Sequence, residues 1–211
     1  TTPPSASAGN AFTKTCTSNA SGSQVGQSSV AGQTYSWSPS TGLNNASSAT
    51  TLANPSATTT YTLTVTQNSN GCTNIDDVVV TVDQATPTAN AGSAFTKTCI
   101  SNTSGGTIGT SGASGNSYSW DNGAGSSSTA SVNPSATTTY TLTVTDNSNG
   151  CTAQDNVVVT VDQAAPTANA GNAFTKTCVS NTSGNQIGAS ASSGISYSWN
   201  NSGSLSNATA A

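Results

Sequence analysis

The sequence predicts an all-β protein made of small antiparallel β-sandwiches in tandem, and three observations carry that expectation. Apolar residues fall in short alternating runs, with no window at a helical period. The runs are separated by clusters of Gly, Asn, Pro and Ser. The segment Ala11 to Cys16 (Ala-Phe-Thr-Lys-Thr-Cys) returns at Ala94 to Cys99 and at Ala173 to Cys178, giving periods of 83 and 79 residues.

Within one copy, Phe12 to Cys16 reads as an early extended segment. Tyr35 and Trp37, two residues apart, form the core-facing pair of a central strand. From Tyr61 to Thr66 the alternation is clean: Tyr61, Leu63 and Val65 point one way and Thr the other. Asn70-Gly71 is a hairpin signal, and it turns the chain into Val78 to Val82, with Val78, Val80 and Val82 on one side. Short strands, one Trp between two Cys and about 80 residues per unit describe an immunoglobulin-like sandwich.

The match extends through Tyr118-Ser119-Trp120 and Tyr197-Ser198-Trp199, and through Asn133 to Thr145 as a near-copy of Asn54 to Thr66. The expected domains are 1–83, 84–162 and a third, truncated copy over 163–211. The third copy reaches Ala211 before its Asn-Pro segment, and Pro4 aligns with Pro87 and Pro166, so the array is expected to continue on both sides. Linkers of about five residues with one Pro predict a semi-rigid rod.

Composition narrows the function. The 211 residues include no His, Glu, Arg or Met; three Lys and seven Asp leave a net charge of −4. Without these side chains most acid–base and metal-site chemistry is excluded, and no nucleophile motif stands out among 75 Ser and Thr, so no enzyme is expected. The mild acidity argues against nucleic acid and anionic membranes as partners. No apolar run approaches a membrane span. Leu, Ile, Val and Phe total 27, a thin supply of core that calls for covalent help.

Five Cys could provide it. Lacking C-x-x-C spacing, they read as disulfides made in an oxidising, extracytoplasmic compartment. The expected pairs are Cys16 with Cys72 and Cys99 with Cys151, near one end of each sandwich, leaving Cys178 without a partner in the chain. Cys72 with Cys99 across the linker is the alternative.

Tyr35 to Leu43 (Tyr-Ser-Trp-Ser-Pro-Ser-Thr-Gly-Leu), followed by Asn-Pro, Thr-Thr-Thr-Tyr-Thr-Leu-Thr-Val-Thr, Asn-Gly-Cys-Thr and Asp-x-Val-Val-Val-Thr-Val, resembles a known family. It is similar to the PKD-like or immunoglobulin-like repeats of very large Bacteroidetes surface proteins, including gliding-motility-associated adhesins exported by type IX secretion. The resemblance covers the whole chain. It implies a β-sandwich fold, a cell-surface location and an adhesive or filamentous role. The loop after the Trp differs between copies (Ser38-Pro39, Asp121-Asn122, Asn200-Asn201), which argues against a shared site there.

The remaining candidates are weighed against plain structural roles. Lys14, Lys97 and Lys176, one per copy, would face the core beside Phe and Cys if extended. Isopeptide bonding to Asn, with Asp76 or Asp155 as the acid, competes with a bulge that leaves each Lys in water. Asp76, Asp77, Asp83, Asp155 and Asp162 are the calcium candidates, against exposed strand-end Asp; seven Asp are few for repeated cages, and no cofactor is expected. Trp37, Trp120 and Trp199 as glycan platforms compete with Trp as core. Asn19, Asn45, Asn102, Asn181, Asn200 and Asn207 lie in N-x-S/T sequons that this composition produces by chance.

The functional expectation is a structural stalk of an extracellular adhesin or filament whose partners are neighbouring repeats. The alternatives are a module that binds surface glycans or a partner, and a fibre subunit that packs against copies of itself.

Overall fold

The computed structural model describes residues 2–181, 183–200 and 205. Asn207 and Asn201 lie outside these.

Six strands build the first sandwich: β1 (Phe12–Lys14), β2 (Ser23–Gly26), β3 (Gln33–Ser38), β4 (Thr50–Ala53), β5 (Thr59–Gln67) and β6 (Thr73–Val82). Six more build the second: β7 (Phe95–Thr98), β8 (Gly106–Gly109), β9 (Asn116–Trp120), β10 (Thr129–Val132), β11 (Thr138–Asp146) and β12 (Thr152–Asp162). One sheet of each has four strands, in the orders β1-β6-β5-β3 and β7-β12-β11-β9. The other has two, β2-β4 and β8-β10. Both are immunoglobulin-like sandwiches, and the chain is all-β.

The alternation in β5 does what period two requires. Tyr61, Leu63 and Val65 are buried while the intervening Thr remain half-exposed, and β11 repeats the pattern with Tyr140, Leu142 and Val144. Trp37 stands opposite Leu63 on β3, Tyr35 opposite Val65, and Val78 and Val80 complete that face from β6. At roughly 1.5–3 kcal/mol per buried aliphatic side chain, a few such residues carry most of each core. Both indoles are buried, and each Nε1 donates to a backbone carbonyl, Trp37 to Ser48 and Trp120 to Ser127, both at 2.9 Å. The fit is close: a Cβ on Gly26 would lie 2.1 Å from Ala49 O and 3.0 Å from the Trp37 ring, at a φ of 105°.

The sheets depart from the antiparallel expectation in one respect. β1 runs parallel to β6, with Phe12 opposite Val80 and Lys14 opposite Val82; β7 and β12 do the same. The entering chain first joins the other sheet, where Ala8 O accepts from Gly26 N at 2.8 Å, and then crosses. Ala8 N donates to the Asp76 carboxylate at 2.7 Å, and Ala91 N to Asp155 at 2.8 Å. Asp76 thus anchors the crossing segment.

Residues 163–211 form a separate compact unit. Its described residues include no strand. The local turn bonds recur, as in Gly188 N to Ala170 O at 2.9 Å, but this stretch has no counterpart of β5 or β6 for its Trp to face. A cavity of about 360 Å³ lies there beside Tyr197 and Trp199.

Candidate functional site

The most elaborated constellation of polar groups lies between the two sandwiches. β1 and β6 end together, so Cys16 lies just past the end of β6 and faces the linker that leaves it. Asp83 N donates to Lys14 O at 2.9 Å and Gln84 Nε2 to Thr15 O at 3.1 Å, which straps the linker to the β1 segment. The β11–β12 hairpin of the second sandwich meets this surface. Asn149 is 2% exposed; its Nδ2 donates to Asp83 Oδ1 and to Ala85 O, each at 3.0 Å, and its backbone O accepts from Cys16 N at 3.1 Å. Its own Oδ1 accepts from Cys151 N at 2.9 Å. Gly150 has φ of 70°, and a Cβ there would lie 2.4 Å from Thr17 Cγ2. Cys16 and Cys151 are disulfide-bonded, with Cα atoms 5.1 Å apart and a sequence separation of 135.

This corrects the expected pairing. Cys16 does not bond Cys72, nor Cys99 Cys151; Cys72 is half-buried and free, and Cys99 and Cys178 are exposed and free. The reason is strand direction. With β1 parallel to β6, Cys16 lies past one end of the ten-residue β6 and Cys72 before the other. At ~3.3 Å per residue they are held roughly 30 Å apart, where a disulfide spans about 4.4–6.8 Å. The same distance separates Cys99 from Cys151. The alternative, Cys72 with Cys99, fails because the two lie at opposite outer ends of the pair of sandwiches.

Lys14 and Lys97 do point inward, each 8% exposed, and both find acceptors. Lys14 Nζ donates to Pro55 O at 3.0 Å; Lys97 Nζ donates to Pro134 O at 3.0 Å and to Asn133 Oδ1 at 2.6 Å. A buried ammonium is tolerated when carbonyls accept its hydrogen bonds. Lys176 is exposed. The proposed isopeptide acid is not at hand: Asp76 and Asp155 lie six residues along their strands from the positions opposite Lys14 and Lys97, about 20 Å away.

The calcium candidates are likewise dispersed. Asp76 and Asp155 accept from Ala8 and Ala91, Asp83 accepts from Asn149, and Asp77 and Asp162 are exposed. Among the described residues there is no group of three or more potential metal ligands. Trp37 and Trp120 are buried and present no stacking face to a glycan; Trp199 is half-exposed. Three sequon residues have conformational work. Asn19, Asn102 and Asn181 adopt φ of 50–54° and donate from Nδ2 to the carbonyls of Thr13, Thr96 and Thr175 at 2.7–2.8 Å.

Sequence reasoning missed the role of Asn149 and the recipient of Cys151. The Asn-Gly-Cys repeat was the available signal, read as a turn only.

No protein-family model matches the chain, and no curated protein matches it. Solved multi-domain structures do match. The chain is similar to the I67–I69 fragment of the I band of titin, at 12% identity and a TM-score of 0.42, over 77% of this chain and 67% of that one. It is similar to PcdhgB3 EC1–4 at 13% identity and 0.38, and to Drosophila N-cadherin EC1–4 at 13% and 0.36, in each case over 76% of this chain and 50% of the other.

Proposed function

We propose that the chain is a stretch of structural stalk repeats from an extracellular cell-surface adhesin or filament, built to carry tension. The observation that carries this reading is the Cys16–Cys151 bridge between sandwiches. Tension entering through β1 passes across it into β12 by covalent bonds alone, and the chain between the two Cys, a sequence separation of 135, stays out of the load. Once the bridge is reduced, the first and last strands of each sandwich form a second device. They pair in parallel, so pulling the β1 and β6 ends apart shears several hydrogen bonds at once instead of opening them singly. A stable bridge supports an oxidising location. The burial of Trp37 and Trp120 removes the support for a Trp-based glycan site.

Single-molecule stretching of the whole chain between its termini tests the reading. The oxidised chain should extend by about 450 Å less than the reduced one, the length of the bypassed chain across a sequence separation of 135. The reduced chain should yield in discrete high-force steps as β1–β6 and β7–β12 shear. Equal extension in both states, or featureless low-force opening, rejects a load-bearing role.

A further inference from the structure

The halves of the joint seen once recur in the sequence, the Phe-Thr-Lys-Thr-Cys segment three times and the Asn-Gly-Cys hairpin tip twice. We infer that each repeat uses its two Cys for two different neighbours: its early Cys bonds the hairpin Cys of the repeat after it, and its hairpin Cys bonds the early Cys of the repeat before it. Cys99 and Cys72 are then the two halves of the staple that Cys16 and Cys151 form. This rests on the tandem-stalk reading.

The counterparts match on both sides. Gly71 has φ of 69° where Gly150 has 70°, and Cys72 N donates to Asn70 Oδ1 at 2.9 Å as Cys151 N does to Asn149. What differs is occupancy: nothing lies within 4 Å of a Cβ on Gly71, whereas Thr17 sits against Gly150. Asn149 is buried on Asp83 and Ala85, while Asn70 is exposed. On the other side, Thr98 N bonds Ser101 O at 2.8 Å, as Thr15 N bonds Ser18 O. Ile100, the counterpart of Thr17, is 91% exposed, an apolar side chain at the position where a neighbouring hairpin packs in the joint that is filled. No partner inside the same repeat is within reach, because the parallel β1–β6 and β7–β12 ladders put its two Cys at opposite ends.

Each staple forms by thiol–disulfide exchange. One thiolate attacks a disulfide-bonded oxidant to give a mixed disulfide, and the neighbour's thiolate displaces it. The S–S bond between repeats forms and the oxidant's S–S bond breaks; the oxidant takes up the electron pair and the two protons lost by the Cys thiols and leaves as a dithiol. An array stapled at each joint cannot lengthen by unfolding. The shortest covalent path from Cys151 to the next early Cys, Cys178, is about 27 residues, roughly 90 Å fully extended.

The single Lys per repeat supplies the test. Denatured, alkylated but unreduced natural protein, cut after Lys, yields Thr15–Lys97 with Cys16 and Cys72, and Thr98–Lys176 with Cys99 and Cys151. Staples between repeats keep these peptides joined to both neighbours as a covalent ladder that reduction collapses. Mass spectrometry should find Cys72 bonded to the second residue of a Lys-cut peptide that begins Thr-Cys, other than the one that carries Cys16. Alkylated Cys72 and Cys99 in a molecule with flanking repeats, or a Cys16–Cys72 link, overturns the staple and leaves the stalk reading intact. A natural molecule with no flanking repeats, seen from its Lys-to-Lys peptides, overturns the stalk reading itself. As a second variant, Cys99→Ser should release one hairpin thiol, in the following repeat, with Cys16–Cys151 unaffected.

Discussion

Asn149, at the hairpin tip of the second sandwich, donates from Nδ2 to the carboxylate of Asp83 at 3.0 Å in the linker leaving the first. One buried amide therefore reads the linker, through Asp83 and Ala85, and its backbone carbonyl reads Cys16. These contacts hold partner and register at the point where the sulfurs meet.

Losing the bridge should loosen the joint without unfolding either core. In the chain-entropy model closure over 135 residues contributes about 5 kcal/mol. Each core is complete on its own side, so Cys16→Ser should leave the buried-Trp emission of Trp37 and Trp120 unchanged while proteolysis within 83–87 speeds up. Red-shifted Trp emission in native buffer would show that the bridge holds the cores themselves.

Gly150→Ala and Gly71→Ala separate backbone strain from steric conflict. Both positions have positive φ, a cost of about 1–2 kcal/mol for a non-Gly residue. Only Gly150 also meets Thr17. Oxidative refolding of Gly150→Ala should form the Cys16–Cys151 bond several-fold more slowly than Gly71→Ala, and adding Thr17→Gly should restore the rate. Equal rates for the two Ala variants would show that the hairpin tip does not need its close approach.

Replacing Lys97 by Met keeps most of the side-chain volume but leaves Pro134 O and Asn133 Oδ1 without their donor. The expected loss is about 1–3 kcal/mol in urea unfolding followed by Trp120 emission. Lys176→Met, at an exposed site, should shift the midpoint by no more than about 0.5 kcal/mol. With Asp155 six residues along β12 from the position opposite Lys97, the intact mass should show the bridge's loss of hydrogens and no loss of ammonia.

Burial pushes the Tyr61 hydroxyl above its ordinary value of 10.0, and a weaker hydrogen bond with Thr59 pulls the other way. The folded state thus favours the neutral phenol, whose OH donates to Thr41 O at 2.7 Å. That contribution is full below pH 10.0 and is lost as pH rises through the raised folded value. Tyr61→Phe should flatten the alkaline limb of a stability–pH curve. An unchanged limb would place the alkaline sensitivity elsewhere.

Much of the fold was legible because it is local. The period-two pattern of Tyr61, Leu63 and Val65, the Asn70-Gly71 turn and the Tyr-x-Trp strand each depend on neighbours a few residues away. The inward aim of Lys14 and Lys97 also followed from alternation, although the carbonyls that receive the ammonium come from the remote Asn-Pro segments. Asp76 was read as a candidate acid or ligand because nothing nearby shows that Ala8 would claim it.

The sequence by itself determined the repeat, the strands, the buried Trp and the fact that the Cys come in pairs per period. Only the tertiary structure decided which Cys meet. That choice turns on whether β1 runs parallel or antiparallel to β6, a pairing across 68 residues (Phe12 with Val80) that alternation cannot specify. Parallel pairing sends the two Cys of one repeat to opposite ends of its sandwich, so the covalent bond can form only across the joint.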